Sequence, residues 1–238
     1  SFLATTEKVV AQSAWQLGLL PVLCAPPMLQ MARYRDMWHR QRRDHLVFGT
    51  GALRYVRAIL ERFLEGSGDS SGSLAFRFQR YRWDPVLPME DIAAFRGVVF
   101  VPYNPHAHLF MELYALAMPL FVPDGDQVYA LQRSHVYDDQ IAEDFGRHFP
   151  FLRSKPVDAL TGRPPTASRQ ALLEGPSPFW EGGALPAATM AEQFFFVWSM
   201  SPMKTYPEVQ YWSSLPELLL LLQSTHHSKV SKRMAAFQ

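Results

Sequence analysis

The chain has 238 residues, 48% of them apolar and 13% aromatic, enough to fill the core of one large α/β domain. Its net charge of +1 excludes a general attraction to nucleic acid or acidic membranes, and its single cysteine, Cys24, excludes an internal disulfide framework and a cysteine-rich metal site. No apolar run approaches the roughly 20 residues of a membrane span, and the opening residues, with Glu7 and Lys8, lack the order of a signal peptide.

Residues 6–18 have helical spacing, with Val9, Val10, Ala14 and Leu17 on one side and Gly18 as a stop. Residues 21–25 read as a short buried strand that Pro26 and Pro27 end. The next run, 28–45, sets Arg33, Arg35, Arg40, Arg42 and Arg43 against Asp36 and Asp44. It is a solvated helix face or the rim of a site for an anionic ligand, since guanidinium forks suit phosphate.

Residues 45–48 predict a strand, and Gly49, Thr50 and Gly51 the turn into a helix over 52–65. That helix places Leu53, Val56, Ile59, Leu60, Phe63 and Leu64 on its inner face and pairs Arg57 with Glu61. A flexible loop (66–73), a strand (74–78), an irregular link (79–88) and a short helix (89–95) follow.

The centre of the chain is RGVVFVPYNPHAHLFMELYALAMPLFVPD, residues 96–124. Val98–Val101 is apolar and β-branched, as a strand covered on both faces should be. Pro102 and Pro105 break it, a helix is predicted over 107–118, and Leu120–Val122 begins another strand. A strand–helix–strand crossover of this kind implies parallel pairing.

Beyond Asp124 one helix is expected over 126–145, with Val128, Leu131, Val136 and Ile141 as its apolar members. Residues 150–202 show no sustained period and read as a long irregular insertion, with 150–190 its least regular and most exposed part. The run Phe194–Trp198 is too apolar for water and is expected to dock on the core. A strand at 209–212 and helices at 215–223 and 228–237 close the chain, the last with Val230, Met234 and Phe237 inward. The expectation is an α/β, doubly wound, mainly parallel sheet over 46–238, preceded by a helical or linker segment at 1–45.

Open α/β sheets bind ligands beyond the carboxyl ends of their strands. That rule selects the loops 49–51, 102–108 and 123–126. Glu112, one to two turns into the helix after the second loop, is either a ligand group or a structural charge. A carboxylate suits vicinal hydroxyls, because two acceptor oxygens meet two donors. His106 and His108, with Asp124 and Asp126, are a conceivable metal set and are equally well read as surface groups. The pair His226–His227 receives no role, and there is no nucleophile elbow, zinc-finger spacing or RNA-binding aromatic motif.

VVFVPYNPHAHLFMELYALAMPLFVPD resembles the C-terminal, nucleotide-sugar-binding half of GT-B glycosyltransferases. There a loop after a strand leads to a glutamate-bearing helix, a small-residue–Pro turn and another strand. It is also similar to glycosyltransferase-like proteins of algae and other protists, in which an ELY-ALA-x-PLFVP pattern recurs. The tail from Glu208 to Phe237 fits the same order of elements. The sequence departs from the pattern at Asn104 and Pro105, where an acidic residue is usual, and at Ala117 and Met118, where Gly precedes the Pro.

The resemblance implies a Rossmann-like domain that binds a nucleotide-sugar donor in a hexosyltransferase. A chain beginning with Ser, not Met, agrees with the loss of an N-terminal partner domain that would carry acceptor and catalytic groups. On this resemblance Glu112 holds the ribose hydroxyls. The turn Gly49, Thr50 and Gly51 and the loop with Tyr103, Asn104, His106 and His108 approach the diphosphate. Arg80 or Arg82 offsets leaving-group charge. No cofactor, metal or catalytic residue is assigned. The other readings are a non-catalytic interaction domain that keeps the fold and a metal-dependent hydrolase using His106 and His108.

Overall fold

The computed structural model describes residues 3–4, 22–23, 34–35, 37–49, 53–66, 74–80, 84–102, 107–135, 194–195 and 198–238. The chain divides into two compact units, one of residues 1–27 and 135–201, the other of residues 28–134 and 202–238. In the first unit β1 (Leu3–Ala4) pairs in parallel with β2 (Val22–Leu23), at the position expected for a short strand. Trp198 is buried there, with Phe194 stacked on it at 6.2 Å between ring centroids, while Phe195 is exposed. The expected helix at 6–18 and the irregular stretch 150–190 lie outside the described residues.

The second unit holds one five-stranded sheet in which every pairing is parallel. Its strands are β3 (His45–Gly49), β4 (Phe76–Arg80), β5 (Val98–Val101), β6 (Leu120–Pro123) and β7 (Gln210–Trp212). Every residue of β3, β5 and β6 is buried, as runs without polar alternation require. β4 is an edge strand with Arg77 and Arg80 exposed, charges that discourage pairing with another chain. It starts two residues later than expected. Leu74, Phe76 and Phe78 share one parity, so the local pattern does not mark its start; the pairing of His45 with Phe76 through Gly49 with Arg80 does.

Helices cover both faces, which makes the unit Rossmann-like. On one face Leu53, Val56 and Leu60 of α1 (Leu53–Gly66) share a core with Val47, Val99, Val101, Phe121 and Trp212. On the other face Phe100 stacks on Phe48 and meets Phe110 at 6.1 Å. Ile59 departs from expectation: it lies at the flank of the α1 stripe and is 52% exposed. The expected pair on the outer face forms, with Arg57 Nε 2.7 Å from Glu61 Oε1.

α2 (Met89–Ala93) precedes β5, and α3 (His108–Ala115) joins β5 to β6. After α3 the chain turns through Ala117, whose φ of 56° is left-handed. Alanine has the smallest side chain that still bears a Cβ, which keeps the strain of this conformation low. α4 (Gly125–His135) follows β6, beginning one residue before the expected helix, and residues 136–145 lie outside the described set. α5 (Pro202–Thr205) packs on α3. α6 (Leu215–Ser224) packs Leu218 and Leu222 into the α1 face, and α7 (His227–Phe237) buries Val230 and Met234. Phe237 touches the Tyr114 ring edge-on yet remains 50% exposed, so it is not an inward residue. No described helix is long and apolar enough to cross a membrane.

Residues 37–44 of the arginine-bearing run form no helix: 37–42 have no regular structure and 43–44 are a bend, and several of their N–H groups bond to remote carbonyls. Trp38 N–H donates to Leu116 O, His39 N–H to Ala93 O, and the Gln41 and Arg42 N–H groups both donate to Ala94 O. The segment thereby satisfies carbonyls that the end of α2 leaves free. Arg42 grips Asp44 bidentately and lies over the Phe95 ring at 4.3 Å.

Candidate functional site

The strand order β4-β3-β5-β6-β7 reverses between β3 and β5. In sequence order it is 2-1-3-4-5, the flavodoxin-like arrangement of doubly wound sheets, in which the crevice lies where the chain leaves neighbouring strands in opposite directions. The carboxyl ends of β3 and β5, Gly49 and Val101, are direct partners at that point.

Gly49 is the last residue of its strand and not part of the turn. A Cβ there would meet Val101 Cβ at 3.0 Å and Val101 O at 3.1 Å. The glycine is needed for this close approach of two backbones at the mouth of the crevice. Gly49→Ala is expected to cost about 1–2 kcal/mol, because a backbone carbonyl cannot swing aside as a side-chain end can. A urea unfolding midpoint equal to the parent's would show that the two strand ends separate freely.

On the β3 side Thr50 and Gly51 lie outside the described residues, and Leu53 already begins α1. On the β5 side Pro102 is buried, Tyr103, Asn104 and His106 lie outside the described residues, and His108 is the first residue of α3. Ala107 precedes that helix in an extended conformation with no side-chain cap. The first-turn N–H groups of such a helix suit an anion. Glu112 stands in the middle of α3, half-buried, between the buried Met111 and Leu113.

Arg80 ends β4 directly opposite Gly49, with β3 between it and β5. Its charge is shared: Arg80 Nη2 lies 3.5 Å from Asp84 Oδ1, and its backbone N–H donates to Asp84 Oδ2 at 2.6 Å. Arg82 lies outside the described residues. Across the sheet Asp124 caps α4, its Oδ1 accepting from Gln127 N–H at 2.9 Å, while its own N–H donates to Trp212 O. Asp124 is thus committed to holding the β6 and β7 ends together. Asp126 is exposed on the first turn of α4.

Two further groups at this edge carry chemistry that the sequence reading passed over. Trp212 ends β7 almost fully buried, and its indole N–H has no partner among the described residues. Such a donor is costly unless an acceptor reaches it. Ser214 and Glu217 form a capping box on α6, recognisable as Ser-x-x-Glu. Hydrogen bonds from the Ser213 hydroxyl and backbone hold the Glu217 carboxyl below its ordinary value.

Among the described residues no three His, Cys, Asp or Glu side chains converge in a way that could hold a metal ion. The arrangement offers a strand-end crevice with a helix N-terminus, a partly neutralised guanidinium and a carboxylate on the following helix. The chain matches no protein-family model, no curated protein and no solved structure.

Proposed function

We propose that this chain is the donor-binding domain of a nucleotide-sugar-dependent glycosyltransferase of the hexosyltransferase type, with a second domain supplying the acceptor side. The observation that supports it most is the reversal of strand order between β3 and β5, with a helix bearing Glu112 leaving the second of those strands. In this reading the diphosphate lies over the ends of β3 and β5, against residues 49–51 and the first turn of α3. Glu112 accepts from the ribose hydroxyls. Arg80 faces the leaving group, and the left-handed turn at Ala117 brings the chain back into β6.

A second reading, a non-catalytic interaction domain on the same fold, is favoured by the contact of Arg80 with Asp84, which takes up charge that the donor reading needs. Melting curves with UDP-, GDP- and ADP-sugars separate the two. Ligand at a hundred times its dissociation constant adds about 2.7 kcal/mol, a rise of several degrees for at least one donor. Millimolar donor of all three kinds leaving the melting temperature unchanged sinks the donor reading and leaves the interaction domain.

A further inference from the structure

At the amino edge of the sheet, opposite the crevice, two imidazoles meet in the interior. His45 opens β3 and His227 opens α7, with their Nε2 atoms 3.1 Å apart. They are 0% and 4% exposed. A contact between two ring nitrogens needs one donor and one acceptor, so at least one of the rings is neutral, and two charged rings cannot make it. His45 Nδ1 is buried with no partner among the described residues.

The surroundings oppose any positive charge here. Phe76 of β4 lies 6.2 Å from the His45 ring, and Phe121 of β6 lies 6.1 Å from His45 and 5.7 Å from His227. Arg96, before β5, and Arg40, before β3, both repel a proton on either ring. The neighbouring carboxylate, Asp44, is already bound by Arg42. On α7 itself His226 and Lys229 are exposed.

We propose that the His45–His227 contact is an acid-sensitive latch that holds α7 on the sheet at neutral pH and releases it when the imidazoles are protonated. The rest of α7 is held by the buried Val230 and Met234, by Arg233 to Glu208, and by the Gln238 side chain donating to Tyr114 O. Docked, His45 is pulled down to about 3, by burial first and then by His227, Arg96 and Arg40. His227 is pulled down to about 4, by burial first and then Arg96, against a smaller upward pull from the Thr225 backbone.

A released ring returns to about 6.5. The docked state therefore binds fewer protons, so the latch is at full strength above about pH 6.5 and weakens as pH falls toward about 4. Each imidazole that charges on release multiplies the opening constant by up to about ten per pH unit.

The test is hydrogen exchange on the whole chain at pH 7.5, 6.5 and 5.5, corrected for the intrinsic pH dependence of exchange. Peptides covering 227–237 are expected to open about ten- to hundredfold more per unit below pH 6.5, while β5 and β6 keep their protection. H227Q and H45Q should each remove about a tenfold step per unit. Should either variant not fold, the ring proton shifts of the parent decide: both rings must stay neutral at pH 5.5 while α7 is docked. Equal corrected protection of α7 at all three pH values overturns the latch. So do unchanged slopes in folded variants, loss of β5 and β6 in step with α7, or ring titration near pH 6.5 in the docked state.

Discussion

Glu112→Gln is expected to weaken UDP binding by about 1.5–3 kcal/mol, the range for a hydrogen bond to a charged group. That is about ten- to a hundredfold in dissociation constant. The physical reason is symmetry: a carboxylate offers two acceptor oxygens to two vicinal hydroxyls, whereas the amide turns one of those positions into a donor. The shape hardly changes, so the melting temperature of the free protein should move little. Glu112 is only half-buried, so its charge is not fully withdrawn from water. Calorimetric titration of parent and variant with UDP reads the first quantity, and thermal melts without ligand read the second. A variant that binds UDP as tightly as the parent removes Glu112 from the ribose site. One that melts far earlier shows that its charge holds the fold.

The largest effect on stability is expected at Phe121. The ring is 0% exposed in the second position of β6, belongs to the α1–α6 core, and touches both imidazoles of the amino edge. It also lies against Gly97, where an added Cβ would meet Phe121 Cε2 at 3.2 Å. Phe121→Ala removes the dispersion contacts of a whole ring and leaves a cavity bounded by strands that cannot collapse, at about 3–5 kcal/mol. That is a large part of the 5–15 kcal/mol, roughly, that holds a domain of ordinary stability. Phe121→Leu keeps most of the volume and should cost far less. Urea unfolding of the three proteins measures the series. A loss below about 1 kcal/mol for the alanine variant would mean that β6 is not a central strand.

The two substitutions separate the proposed ligand site from the core beside the imidazole pair. Glu112 is the group proposed for the ligand at the carboxyl side, and Phe121 supports the amino side, where the two imidazoles meet. Because water entering a Phe121→Ala cavity would solvate both imidazoles, that variant should also lose part of its acid sensitivity. Glu112→Gln should leave the acid response of α7 unchanged.

The parallel sheet was legible because its strands are buried on both faces. Val98–Val101 and Leu120–Pro123 carry no polar alternation, and the residues between them have helical spacing, so a crossover was the natural way to join them. The helices at 53–66, 215–224 and 227–237 were legible for the same kind of reason, since an apolar stripe repeats on a turn of 3.6 residues. Local patterns ended at their edges. Ile59 has the right spacing and faces outward, and residues 37–44 have the charge of a solvated helix and form none. In each case the deciding partners, the width of the α1 contact or the carbonyls of Leu116, Ala93 and Ala94, are remote in sequence.

The candidate site divides in the same way. The rule for open α/β sheets picked out its loops from residue order alone, and Glu112 follows from the helix that leaves the second of them. Gly49 was read as a turn residue, and only the approach of Val101 shows why a side chain has no room there. The sequence by itself determined the kinds and succession of elements, because burial and periodicity are written in neighbouring residues. The tertiary structure alone decided the strand order, hence the crevice between β3 and β5, and the meeting of His45 with His227 across 182 residues. Contacts of that span depend on which elements become neighbours in space, and no local pattern of side chains encodes that choice.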